Sequence, residues 1–167
     1  MKTLLSSSAK ETQHFAGKFA CDILEHHRKC KDALVVGLKG NLGSGKTTFV
    51  QGFARGLGIQ EKILSPTFVI IKKYEIRSTK SETKRKAKHV SNFDIRYSDF
   101  GCLYHIDCYR IKDEQDLLSL GWDKIVSDPQ NLILIEWPER IQKILPKDTV
   151  SISFEITKEN ERRISFL

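Results

Sequence analysis

A three-layer α/β fold with a mostly parallel central sheet is predicted by three features of the 167-residue sequence. Ala33–Leu38 and Leu132–Ile135 are apolar runs without polar alternation, the pattern of strands buried on both faces, as a parallel sheet requires. Segments with helical apolar spacing lie between such runs, so strand and helix alternate along the chain. The first run leads directly into Gly40-Asn41-Leu42-Gly43-Ser44-Gly45-Lys46-Thr47, a Gly-x4-Gly-Lys-Thr string that opens a helix. A strand, a glycine-rich loop and a helix in that order are the context that makes the string a phosphate-binding P-loop, and so the fold class is that of the P-loop NTPases.

Taken in order, Ser8-Ala9-Lys10-Glu11 reads as a capping box, and Phe15, Phe19 and Ile23 follow at fourfold spacing. Together they predict an amphipathic helix over about 9–28. After the glycine loop, Phe49, Val50, Phe53 and Leu57 give Thr48–Leu57 a helical pattern that Gly58 ends. Phe68–Ile71 and Leu103–Ile106 read as strands, separated by a basic stretch that lacks apolar periodicity. Asp113–Leu120 and Trp122–Val126 read as helices, Pro138–Leu145 as a short helix, and Val150–Ile156 with Arg163–Leu167 as a closing pair of strands around a turn near Asn160. There is no internal repeat and no second domain: residues 1–167 form one domain with a basic insertion at about 76–101.

Hydrophobic residues at 40% and charged residues at 29% are ordinary for a soluble globular chain. No apolar run approaches the ~20 residues needed to cross a bilayer. Met1–Leu5 gives way to Ser6-Ser7-Ser8 too soon for a signal-peptide core. Cys21, Cys30, Cys102 and Cys108 form no Cys-x-x-Cys pair and read as reduced packing residues, which places the chain in the cytoplasm. The net charge is +7, but Arg77–Arg96 alone holds seven basic residues against Glu82 and Asp94. The excess is local, so the fold as a whole does not read as a basic nucleic-acid module.

In the P-loop, glycines let successive backbone N–H groups turn toward phosphate oxygens, and the following helix adds its positive end. Asn41, Leu42, Gly43, Ser44, Gly45, Lys46, Thr47 and Thr48 are therefore the nucleotide-binding candidates, with Lys46 for the β- and γ-phosphates and Thr47 for Mg2+. The metal and an attacking water also need acids, which in a parallel sheet lie at the carboxyl ends of neighbouring strands. Two strands end so, in Asp107 and in Glu136. Ser65-Pro66-Thr67-Phe68 precedes a strand, with Pro66 stiffening the approach and Thr67 placed to reach a γ-phosphate or metal. Trp137 follows Glu136 and reads as a nucleotide neighbour or as packing; His105 alternates with Asp107 and reads as a structural or a site histidine.

The ordered set Gly40–Phe49, Ser65–Phe68, Tyr104-His105-Ile106-Asp107-Cys108-Tyr109-Arg110, Glu136-Trp137-Pro138-Glu139 and Leu145-Pro146 resembles the TsaE family, the small ATPase component of the bacterial machinery for threonylcarbamoyladenosine in tRNA. The resemblance implies ATP and Mg2+ as cofactors, metal ligation by Thr47 and Glu136, Asp107 as a Walker-B-like acid and Thr67 on a switch-like loop. It also implies adenine-side contacts near Ser8 and Lys10 and from Arg162, and hydrolysis that depends on TsaD-type and TsaB-type partners, with tRNA engaged indirectly. Two departures stand out. Asn41 replaces the family's common Asp, which removes a charge but leaves the backbone donors. The basic insertion replaces a short hairpin; it reads as a solvated loop, a tRNA-facing phosphate-binding patch, or a partner contact or lid. Rival functions are a P-loop small-molecule kinase, which would need an acceptor metabolite, and a nucleotide-gated assembly module without essential hydrolysis. No Asn-Lys-x-Asp guanine-reading motif is present.

Overall fold

Seven strands make one mixed sheet in the structure, a computed structural model that describes residues 3–26, 31–76 and 100–167. The strands are β1 (Thr3–Ser6), β2 (Leu34–Gly40), β3 (Ile71–Glu75), β4 (Cys102–Asp107), β5 (Asn131–Glu136), β6 (Val150–Lys158) and β7 (Glu161–Phe166), in the order β1-β7-β6-β2-β5-β4-β3. The central four, β6-β2-β5-β4, are parallel. Both margins are antiparallel, through β3 on one side and β7 with β1 on the other. The helices are α1 (Ala9–His26), α2 (Lys46–Gly56), α3 (Glu114–Ser119) and α4 (Trp122–Val126), with 3-10 turns over Pro138–Ile144. Cys30, the predicted end of the first helix and the basic stretch Arg77–Arg96 lie outside the described residues.

The double-sided burial expected of the apolar runs is present: all six residues of β5 are buried. Leu132 and Leu134 pack with α1 and α2, whereas Ile133 and Ile135 pack on the opposite side with Leu117, Trp122 and Ile141. Successive side chains of a strand point to opposite faces, which is how one sheet supports two cores. The Ser8 half of the capping box forms at the start of α1, where Glu11 N donates to Ser8 Oγ at 3.2 Å, whereas the Glu11 carboxylate reaches one residue further back and accepts from Ser7 N at 2.6 Å. α1 and α2 approach so closely that a Cβ on Gly52 would lie 2.2 Å from the Gln13 carbonyl oxygen, and one on Gly56 2.6 Å from that of Gly17.

One expectation is corrected and one strand is added. Phe68–Ile71 is not a strand: β3 begins only at Ile71, and the preceding residues form a turn. Val69 N and Ile70 N both donate to Pro66 O, at 2.9 and 2.6 Å, so their backbone donors close the turn rather than join a ladder. Ile70 adopts φ 65°, rare for a β-branched residue. β1 is an additional strand that local pattern did not indicate; it exists through its pairing with β7, Thr3 opposite Ser165 and Ser6 opposite Arg162.

Cys108 sits fully buried beside β4, and burial pushes its thiol up to about 12. At pH 8 on the order of one such thiol in ten thousand is ionised, and the thiolate is the nucleophile. Iodoacetamide is therefore expected to leave Cys108 unlabelled until the protein unfolds, as read by mass spectrometry; labelling at the rate of a free thiol under native conditions would contradict this. Among the described residues no helix is long and apolar enough to cross a membrane.

Candidate functional site

The register of the parallel strands places the candidate acids side by side. Asp107 ends β4 opposite Glu136, which ends β5, and β5 is the immediate neighbour of β2, the strand that feeds the glycine loop. His105 lies two residues before Asp107 and so on the same face, toward α2. Gly45, at φ 99°, turns the chain into α2, and Gly43 has φ 75°; a Cβ at either would meet nothing within 4 Å, so the loop bounds open space. Beside it is a cavity of about 240 Å³ whose walls include Leu42, Gly43, Gly45, Lys46, Thr47 and Thr48 from the loop and helix start. The facing wall is Ser65, Thr67, Asp107, Tyr109, Glu136 and Trp137.

Lys46 is only 4% exposed. Its ammonium donates to the carbonyls of Gly40 at 2.8 Å and Asn41 at 3.0 Å and lies 4.3 Å from the centre of the Trp137 ring. Burial lowers its pKa, against the pull of Glu136, Asp107 and Glu139. Trp137 takes a left-handed backbone, φ 60°, at the start of the 3-10 turns, and its ring also meets Tyr109 at 5.3 Å. Strained backbone of this kind concentrates at functional sites.

The acids are held differently. The Thr47 hydroxyl donates to Glu136 Oε1 at 2.8 Å, and His105 Nε2 lies 2.9 Å from the same oxygen. Asp107 Oδ2 accepts from the hydroxyls of Thr67 and of Ser65, the latter at 3.1 Å, while Oδ1 accepts from Tyr109 N at 2.9 Å. Asp107 thus fastens the Ser65–Thr67 turn to the end of β4. A hydroxyl beside a carboxylate is an oxygen donor set that suits Mg2+, a hard cation that keeps several of its waters.

Of the residues proposed from sequence, Leu42, Gly43, Gly45, Lys46, Thr47, Thr48, Thr67, Asp107, Glu136 and Trp137 come together around this cavity. Asn41 and Ser44 belong to the loop but not to the cavity wall; Ser44 is buried and Asn41 exposed. Ser8 and Lys10 are exposed at the start of α1 and do not line the cavity. Arg162 Nη2 reaches Gly43 O at 3.4 Å, so it touches the loop backbone without lining the cavity. Ser65 and Tyr109 also line the cavity; both stand in the quoted motifs but are not among the candidates drawn from them. The signal for Ser65 was its position two residues before Thr67, since both hydroxyls reach one carboxylate.

The TsaE family model, described as threonylcarbamoyl adenosine biosynthesis protein TsaE, matches residues 6–164. The tRNA threonylcarbamoyladenosine biosynthesis protein TsaE of Treponema pallidum is 36% identical over 138 residues, covering 83% of this chain and 84% of its own. That of Bacillus subtilis is 36% identical over 132 residues, 79% of this chain and 68% of its own. The protein of the same name from Rickettsia typhi is 32% identical over 160 residues, 95% and 90% of the two chains. A crystal structure of Bacillus subtilis YdiB shares the fold with a TM-score of 0.67 at 29% identity, covering 99% of this chain and 83% of that one. The family match runs from the last residue of β1 into β7 and so takes in the glycine loop, both strand-end acids and the turn between them; the chain belongs to the TsaE family of proteins of tRNA threonylcarbamoyladenosine biosynthesis.

Proposed function

We propose that the chain binds ATP with Mg2+ in this cavity and hydrolyses it to ADP and phosphate, as a cytoplasmic ATPase working with TsaD-type and TsaB-type proteins in the modification of tRNA. The observation that carries the reading is the bond between the Thr47 hydroxyl and Glu136 at 2.8 Å, formed one residue after a buried lysine at the mouth of the glycine loop. Phosphoryl transfer asks a protein mainly for positioning and charge neutralisation. Lys46 brings a desolvated cation to the β- and γ-phosphates, and the loop N–H groups with the start of α2 bind the remaining oxygens. Thr47 and Glu136 would hold Mg2+, which when bound neutralises charge building on the phosphate oxygens. Asp107 keeps Thr67 at the cavity, and Trp137 and Tyr109 wall off its side. Ser8, Lys10 and Arg162 serve the adenine side.

Leu42, on the cavity wall, and Phe68 and Val69, which follow Thr67 in the chain, are 75%, 83% and 58% exposed. Exposed apolar side chains on the cavity wall and next in sequence to Thr67 support completion of the site by another protein. The test is a titration of the protein with a fluorescent ATP analogue with and without Mg2+, followed by phosphate release in the presence of the two partner proteins. Mg2+ is expected to tighten binding and the partners to raise turnover. Binding indifferent to Mg2+, or phosphate passing to a metabolite rather than to water, would refute the reading.

A further inference from the structure

His105 is fully buried, yet only one of its ring nitrogens has a partner among the described residues. Nε2 meets Glu136 Oε1 at 2.9 Å, and Nδ1 is buried without a hydrogen bond. An ionised carboxylate only accepts, so this contact places a hydrogen on Nε2, while Nδ1 is left inside the protein with nothing to bond. Burying an unpaired polar atom is unfavourable. Leucine, close in size, would fill a site lined on the same face by Leu103 and Leu134 without that cost. A residue chosen only to fill the core would not be histidine.

What the imidazole supplies is direction. Thr47 and His105 both bond Oε1 of Glu136, one from α2 and one from β4. Two donors from separate elements on a single oxygen fix the rotation of the carboxylate and leave Oε2 its lone pairs for a ligand. Backing a ligating group with a second hydrogen bond in this way raises metal affinity and holds geometry. We propose that His105 is a positioning residue for Mg2+ binding: its Nε2–H sets the orientation in which Glu136 accepts the cation beside Thr47. The proposal rests on the Mg2+–ATP reading above.

The experiment measures the Mg2+ midpoint for tightening a fluorescent ATP analogue, and separately the affinity for the analogue in EDTA. Glutamine places an amide nitrogen near the position of Nε2, whereas asparagine reaches only as far as Nδ1. His105→Leu and His105→Asn are expected to raise the Mg2+ midpoint about tenfold or more with metal-free affinity unchanged, and His105→Gln to restore it. In a Glu136→Gln background, His105→Leu is expected to have no further effect on the midpoint, because its influence passes through that carboxylate. If the leucine variant does not fold, the comparison of glutamine with asparagine carries the test. A wild-type midpoint in both the leucine and asparagine variants, equal loss in glutamine and asparagine, or additivity with Glu136→Gln would overturn the proposal. If the unmutated protein itself shows no Mg2+ effect, the Mg2+–ATP reading falls and this proposal with it.

Discussion

Lys46→Ala is expected to abolish measurable ATP binding and turnover while leaving the protein folded. In the structure the ammonium occupies a nearly closed position between the Gly40 and Asn41 carbonyls and the Trp137 ring. Desolvation is the largest influence on it and lowers its pKa. The fold therefore holds this charge against a cost, and removing it relieves that cost while giving up two hydrogen bonds. The ligand has no such compensation. Two charge-assisted hydrogen bonds to phosphate, at about 1.5–3 kcal/mol each, correspond to a loss of roughly 100-fold or more in affinity. Nucleotide titration and a thermal melt of the same sample separate the two effects. Turnover at the wild-type rate with both partner proteins present would sink the assignment of Lys46, whatever the melt showed.

Gly52→Ala is expected to destabilise the fold strongly although it adds a single methyl group. On a helix interior the change ordinarily favours alanine by about 1 kcal/mol. Here the new methyl would lie 2.2 Å from Gln13 O and 2.4 Å from Gln13 Cα, both backbone atoms of α1. Neither atom can rotate away, so one helix must shift. That shift would open the packing of Phe15 and Phe19 against Phe49 and Phe53, whose ring centres now lie 6.0–6.4 Å apart. Overpacking of a close-packed interior costs about 1–3 kcal/mol and occasionally more, and contact with unyielding backbone puts this case at the upper end. A urea melt should show a midpoint clearly below wild type. Gly101→Ala is the control, because its nearest neighbours lie at 4.0 Å; a Gly52→Ala midpoint matching that control would show that α1 and α2 are free to move apart.

The parallel core of the sheet was legible because its strands are buried on both faces, and continuous apolar runs such as Leu132–Ile135 carry that condition in their own composition. The same criterion failed at Phe68–Ile71. There the apolar run belongs to an open turn closed by Pro66 O, and only tertiary contacts with Asp107 distinguish it from a strand. The glycine loop and the two strand-end acids were also legible, since position within a strand–loop–helix unit fixes where they point. What spacing did not reveal was the division of labour between the acids. Glu136 bonds the loop threonine, whereas Asp107 bonds the Ser65–Thr67 turn, and that difference depends on β5 rather than β4 lying next to β2. Strand order is a property of the assembled sheet.

The pairing of β1 with β7 bears on how the molecule comes together. Thr3 hydrogen-bonds Ser165 side chain to side chain at 3.2 Å, a contact that closes a loop of 162 positions. Non-local pairings of this kind are entropically the slowest to form. During synthesis β1 cannot make this pairing until Glu161–Phe166 has left the ribosome. Arg162 arrives with that same strand, opposite Ser6 and against the carbonyl of Gly43. A chain stalled before β7 therefore carries the whole Gly40–Thr47 string without the arginine that reaches the Gly43 carbonyl.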